Sequence, residues 1–122
     1  MGKALETANR FYDTTENKKG RGLETILAND MTFVGPLMKT FGAEEYISST
    51  KQFLQMHRAT RMLKQFENGN DVCSIYEMDI ATPDGGIITI ELTDWIQVSN
   101  GKVSKQKIYY DPRVFAKAFG MG

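Results

Sequence analysis

The first half of the chain has apolar positions at helical spacing. Residues 3–18 are predicted to form an amphipathic helix, because one face carries Leu5, Ala8, Phe11, Tyr12 and Thr15. Gly20 follows it as a left-handed stop. The pattern then predicts a short helix from Leu23 to near Asn29, a strand over 31–34 and a third helix over 43–57.

Beyond the third helix the apolar period changes from 3.6 to 2. Strands are predicted over 59–67, 71–81, 87–98 and 102–110, and the turns between them contain Asn68-Gly69-Asn70, Pro83-Asp84-Gly85-Gly86 and Asn100-Gly101. Such short turns join antiparallel neighbours, so these four strands are expected to form a meander. A short final helix should begin at the cap Asp111 and Pro112. Helices on one face of an antiparallel sheet make an α+β fold, and one domain covers residues 1–122.

Charge and cysteine content narrow the function classes. Fifteen basic residues balance fifteen acidic ones, so neither nucleic acid nor a membrane is an expected partner. The single cysteine, Cys73, excludes an internal disulfide and is expected in the core or on the sheet surface. With no apolar leader at the start, we expect a cytoplasmic protein. Because the sequence has no phosphate loop and no metal-ligand spacing, we expect neither cofactor nor metal.

The strand over 87–98 contains the most informative residue. Its core face is apolar except for Asp94, which stands in the middle of Ile88, Ile90, Leu92, Ile96 and Val98. Burial penalises an ionised carboxylate, so Asp94 should have a raised pKa or strong hydrogen-bond donors. A neutral carboxylic acid in an apolar pocket can donate to a developing oxyanion, which would make Asp94 a catalytic residue. The alternative is a structural acid tied to a tyrosine or a backbone amide.

Five further polar side chains are candidates for binding a small apolar molecule: Tyr12, His57, Tyr76, Gln106 and Tyr110. Gln106 and Tyr110 share the inner face of the last strand if Val103 and Tyr109 point away. Each candidate has a simpler interpretation. A tyrosine on an amphipathic face is commonly part of the core, and a histidine at a helix end can be a capping charge.

The order and spacing of several short stretches resemble the nuclear transport factor 2-like superfamily, and the SnoaL-like group in particular. These stretches are Leu27 to Phe33, Pro83-Asp84-Gly85, Glu91 to Lys102 and Tyr109-Tyr110-Asp111-Pro112. The resemblance implies a cone-shaped, curved antiparallel sheet wrapped around the N-terminal helices. The superfamily holds ketosteroid isomerases, polyketide cyclases, limonene epoxide hydrolases, scytalone dehydratase and non-catalytic proteins.

The resemblance to ketosteroid isomerases extends to individual positions. Asp94 matches the acid of the oxyanion hole, whereas Gly35 stands where those enzymes have the aspartate base. Their tyrosine donor falls at Phe11, one residue before Tyr12, and one residue turns a helix by about 100°. Steroid isomerisation is therefore not expected. Arg61 does not complete the Asp-Arg-Asp set of the epoxide hydrolases.

Two functions remain open at this point. One is a cofactor-free isomerase, cyclase or dehydratase that acts on a small apolar carbonyl compound near Asp94. The other is a non-catalytic module for ligand binding or dimerisation, because one fold hosts many functions.

The outer face of the sheet predicts an assembly. Trp95 and Tyr109 stand on that face among polar residues, a composition typical of interfaces, and the resemblance implies pairing through the same surface. We therefore expect a two-fold symmetric homodimer. The alternative is a monomer in which Phe115 and Phe119 of the last helix cover Trp95.

Overall fold

A computed structural model describes residues 2–121 and confirms the α+β class. The elements in chain order are α1 (Lys3–Glu16), a 3-10 turn (Leu23–Thr25), β1 (Leu27–Val34), β2 (Lys39–Phe41), α2 (Ala43–Phe53), β3 (His57–Asn68), β4 (Asp71–Ala81), β5 (Ile87–Ser99), β6 (Lys102–Tyr109) and α3 (Pro112–Ala118).

The six strands form one curved, open sheet in the order β2-β1-β6-β5-β4-β3. The expected meander is confirmed, because β3, β4, β5 and β6 pair antiparallel in succession. The sheet as a whole is mixed, because β1 runs parallel to β6. Hairpin turns specify only strands that are neighbours in sequence, whereas β1 and β6 are brought together by the whole intervening chain.

Two of the predicted helices differ in the structure. The expected helix from Leu23 to Asn29 is only a 3-10 turn, and β1 begins already at Leu27. Leu27 and Met31 are both fully buried, and their spacing of four residues fits a strand as well as a helix. Helix α2 ends at Phe53, so His57 begins β3 instead of capping a helix.

A bulge decides which side chains of β6 face the core. Gln97 pairs with Lys105 but the next residue, Val98, pairs with Val103, so Ser104 is the extra residue. Val103 is consequently fully buried. The sequence analysis assumed that Val103 points away from the inner face of β6, and this assumption is wrong. Gln106 remains on the inner face, and Tyr109 lies outside as expected.

Two apolar clusters fill the concave side of the sheet. One joins α1 to β1 and β5 through buried side chains such as Ala8, Phe11, Met31 and Ile96. The other consists of Tyr76, Ile80, Ile90 and Leu92, and it is partly covered by Phe115 and Phe119 of α3. Asp111 caps α3 as expected, since its side chain accepts a hydrogen bond from the Arg113 backbone amide at 3.0 Å.

Candidate functional site

Asp94 lies on the concave face of β5 and is completely buried. Its Oδ2 accepts a hydrogen bond from the Tyr76 hydroxyl at 2.7 Å and a second from Gln106 Nε2 at 2.9 Å. Oδ1 has no hydrogen-bond partner among the described residues. Tyr76, Asp94 and Gln106 lie on the adjacent strands β4, β5 and β6, so their side chains meet although they are far apart in sequence.

Burial raises the pKa of Asp94 to about 6, and the hydrogen bonds from Tyr76 and Gln106 offset only part of that effect. Both protonation states of Asp94 are therefore populated near neutral pH. The complete burial and the direction of this shift agree with the expectation of a raised pKa. Tyr76 remains protonated, because burial and then the charge of Asp94 raise its pKa well above 10.0.

Tyr12 supplies the one hydroxyl of this cluster without a partner. It lies on α1, its ring meets the Tyr76 ring at a centroid distance of 5.7 Å, and its Oη makes no hydrogen bond within residues 2–121. Burial, followed by the charge of Asp94, raises its pKa above the ordinary tyrosine value, so the hydroxyl keeps its proton. Gln106 Oε1 is likewise buried without a donor. Tyr12 and Gln106 thus present an unused donor and an unused acceptor.

A cavity of about 400 Å³ opens beside this cluster. Its volume lies within the usual range for small-molecule sites, roughly 300–1,000 Å³. Most of its surface is apolar and comes from side chains of α1, α2, α3 and the strands, among them Phe11, Phe33, Phe53, Ile90, Leu92, Ile108 and Phe115.

All five binding candidates line this cavity: Tyr12, His57, Tyr76, Gln106 and Tyr110. Asp94 does not line it, because Asp94 lies behind Tyr76 and Gln106. Gly35 is also a lining residue, and a Cβ added there would meet Ile108 Cγ1 at 3.2 Å. The position that the resemblance matches to the base of ketosteroid isomerases therefore carries no side chain that could accept a proton.

Several polar residues that line or adjoin the cavity were missed by the sequence analysis, among them Glu16, Tyr46 and Thr60. Glu16 lines the cavity one helical turn after Tyr12, and Tyr46 lines it from α2. Thr60 lies within 2.7 Å of His57 Nε2. The spacing of four between Tyr12 and Glu16 is a signal that was available, whereas the approach of Thr60 depends on the course of β3.

Other polar clusters lie outside the cavity. Arg61 forms ion pairs with Asp79 at 2.8 Å and with Glu77 at 3.1 Å on the outer face of the sheet. Within residues 2–121, no three His, Cys, Asp or Glu side chains gather as a metal site. No helix in that range is both long and apolar enough to cross a membrane.

The fold and this cavity define the class of protein. A family model for the SnoaL-like domain matches residues 8–106, which is most of the chain. The chain therefore belongs to the SnoaL-like domain family, and its fold is of the NTF2-like kind. No curated protein matches the sequence.

Solved structures with the same fold are numerous, and three illustrate the range. An NTF2-like protein of unknown function from Cytophaga hutchinsonii is 24% identical, with a TM-score of 0.76 over 92% of this chain and 93% of that one. A protein from Mesorhizobium loti described as a SnoaL-like polyketide cyclase is 19% identical, with a TM-score of 0.72 over 87% and 97%. A protein from Catenulispora acidiphila with a ketosteroid isomerase-like fold, in complex with trimethylamine, is 14% identical, with a TM-score of 0.77 over 94% and 92%. At such identities these likenesses show the fold alone.

Proposed function

We propose that the cavity binds a small, mainly apolar compound that carries a carbonyl oxygen, and that Tyr12 donates a hydrogen bond to this oxygen. The supporting observation is the buried, unpartnered Tyr12 hydroxyl beside Asp94 at the wall of the cavity. An unsatisfied buried polar group is costly, and a ligand carbonyl would satisfy it. Gln106 Oε1 offers an acceptor for a hydroxyl of the same ligand.

The same groups support cofactor-free proton transfer, as in an isomerase, cyclase or dehydratase. Asp94 has a pKa of about 6, so both of its protonation states are populated near neutral pH. Because Asp94 lies behind Tyr76, a proton would pass between Asp94 and the ligand through the Tyr76 hydroxyl, which is 2.7 Å from Oδ2. A positioned acid or base of this kind contributes roughly 10²–10⁴-fold to a rate.

A non-catalytic binding module is the second candidate. Two observations favour it: Asp94 does not line the cavity, and Gly35 offers no base on the opposite wall. In this case Asp94 is a structural acid that orients Tyr76 and Gln106. The SnoaL-like family and the Mesorhizobium loti relative described as a polyketide cyclase support the enzymatic candidate by analogy only.

A ligand screen by thermal shift tests the binding proposal, because a ligand of the native state raises the melting temperature by mass action. Small carbonyl compounds should raise it in the wild type and should do so less in Tyr12→Phe, which keeps the ring and removes the donor. Equal shifts in both proteins would show that Tyr12 does not bind the ligand. If the wild type turns over a screened ligand and Asp94→Asn does not, the protein is an enzyme and not a non-catalytic binding module.

We also propose that the protein is a homodimer through the outer face of the sheet. Trp95 and Tyr109 are 41% and 47% exposed there, and Trp95 is held by a hydrogen bond from Nε1 to Asp71 Oδ1 at 2.9 Å. The alternative that α3 covers Trp95 is wrong, because Phe115 and Phe119 pack on the concave side. Exposed aromatic side chains held in place are favourable anchors for a partner.

For the location we propose the cytoplasm, on the strength of a single, unpaired cysteine. Cys73 lies half-buried on β4, and no second cysteine exists to pair with it in the chain. Fractionation of cells that express the protein tests this proposal.

A further inference from the structure

A second polar cluster lies on the wall of the cavity, away from Asp94. Glu16 of α1 and His57 of β3 both line the cavity and are half-buried. His57 Nε2 and Thr60 Oγ1 are 2.7 Å apart, and the Thr60 hydroxyl is near enough to the Glu16 carboxyl to lower its pKa. Neither the carbonyl-binding groups nor Asp94 takes part in this cluster.

Strand register shows how far apart the two clusters are. Asp94 pairs with Ser74 of β4, whereas Thr60 pairs with Met78 and His57 with Ile80. At about 3.3 Å per residue, Met78 and Ile80 are roughly 7 and 13 Å along β4 from Tyr76, which lines the cavity in front of Asp94. On the helical wall, Glu16 follows Tyr12 by one turn, or about 6 Å. The two clusters therefore occupy neighbouring parts of one apolar cavity.

The hydrogen bond to Thr60 occupies one nitrogen of the imidazole. His57 Nε2 is 2.7 Å from Thr60 Oγ1, and the hydrogen bonds of the described side chains include none to Nδ1. Burial first, and then the charges of Lys19 and Arg58, lower the pKa of His57, although Asp79 opposes them. The imidazole is therefore mainly neutral at pH 7.

The charges on the cavity wall restrict the ligand class. No lysine or arginine stands among the lining residues within 2–121, whereas Glu16 and the nearby Asp94 supply carboxyl groups. Burial is the main reason that the Glu16 pKa is raised, and Asp13 adds to it, while Thr60 and Lys19 oppose it. Lys19 and Arg58 are close enough to act on His57 but do not line the cavity, so a ligand carboxylate would lose hydration without contacting either cation. A neutral or cationic ligand does not incur this cost.

We propose that Glu16, Thr60 and His57 form a second binding site in the cavity, which accepts a hydrogen bond from a hydroxyl or amine group of the ligand. This inference rests on the proposed function, that the cavity binds a small molecule. The ligand class is then a mainly apolar compound without a carboxylate. It carries a hydroxyl or amine for this site and, about one helical turn away, the oxygen that Tyr12 binds.

NMR can test this site directly, because His57 is the only histidine of the chain and its imidazole signals need no assignment. Three naphthalene compounds of similar shape serve as probes: 2-naphthol, 2-naphthylmethylamine and 2-naphthoate. The naphthol and the amine should shift the imidazole signals of His57, and the naphthoate should bind at least about tenfold more weakly. Equal binding of the naphthoate would overturn the proposed ligand class.

Matched variants test whether the cluster of Glu16, Thr60 and His57 contributes to the binding of 2-naphthol. Thr60→Val keeps the shape and removes the hydroxyl, so the dissociation constant of 2-naphthol should rise about two- to tenfold. Thr93→Val, on β5 and outside the cavity lining, is the control and should leave it unchanged. Glu16→Gln is a second variant on another element, with the same expected direction, should Thr60→Val fail to fold.

The outcomes distinguish this inference from the proposed function. If 2-naphthol binds and perturbs Tyr12 and Gln106 but leaves His57 unchanged, the second site is refuted and the proposed function stands. The same holds if Thr60→Val and Thr93→Val bind 2-naphthol equally well. If neither the naphthol nor the amine binds, the inference is refuted, and the thermal-shift screen decides the proposed function separately.

Discussion

The burial of Asp94 should make the protein less stable as the pH rises from about 4 to 6. The carboxyl has a pKa of 3.8 when exposed and about 6 in the folded protein, because burial disfavours its ionised form. Between these values the folded state keeps the proton and the unfolded state loses it, so a rise in pH favours unfolding. Above about pH 7 both states are mainly ionised and the loss levels off.

The size of the effect follows from the two pKa values. Their difference corresponds to about 3 kcal/mol, and it applies in full because Asp94 is completely buried. The variant Asp94→Asn cannot ionise, while its amide oxygen can still accept from Tyr76 and Gln106. Between pH 4 and pH 7 the variant should therefore gain about 3 kcal/mol of stability relative to the wild type, or roughly 10 °C in melting temperature.

Urea denaturation of both proteins at several pH values measures this difference. Subtracting one profile from the other removes the contributions of groups that the two proteins share, such as His57 and Glu16. Asp30→Asn, which removes an exposed carboxyl from β1, controls for the loss of one surface charge. If the profiles of the wild type and Asp94→Asn stay parallel from pH 4 to pH 7, the reasoning from burial is refuted.

Three further predictions concern the hydroxyl groups, the missing base and the assembly. Tyr76→Phe should lower the free energy of unfolding by about 1.5–3 kcal/mol, because it removes the hydroxyl that donates to the buried carboxyl at 2.7 Å. Tyr12→Phe should change the free energy of unfolding by less than about 1 kcal/mol, because the Tyr12 hydroxyl has no partner to lose. Chemical denaturation compares the two variants, and equal losses would contradict the geometry. The purified protein should not turn over a Δ5-3-ketosteroid, since Gly35 leaves the cavity without the base; robust turnover in a spectrophotometric assay would show that another residue supplies it. Light scattering should give a mass of about twice 13.8 kDa for the wild type, and a mass near 13.8 kDa would refute the dimer proposal. Trp95→Lys should give a folded monomer, whereas the control Val114→Lys, at an exposed position of α3, should remain a dimer.

Local patterns were sufficient to predict much of the fold. The alternation along β5 predicted the buried face that carries Asp94, and the hairpin turns predicted the order of β3, β4, β5 and β6. These features depend on neighbours in sequence, namely on the two-residue period of a strand and on the turn between two strands. The raised pKa of Asp94 follows from the same pattern, because burial alone is its largest cause.

The tertiary structure decided the features that depend on distant parts of the chain. The parallel pairing of β1 with β6 and the bulge at Ser104 arise from the closing of the whole sheet, and the bulge turned Val103 inward. The position of Asp94 behind Tyr76 and Gln106 depends on three strands at once. Glu16 and His57 line the same cavity only because α1 lies against β3, as the hydrogen bond between Gln65 and Asn9 shows. A sequence pattern gives the face on which a side chain lies, but the partner across a cavity depends on how the elements pack together.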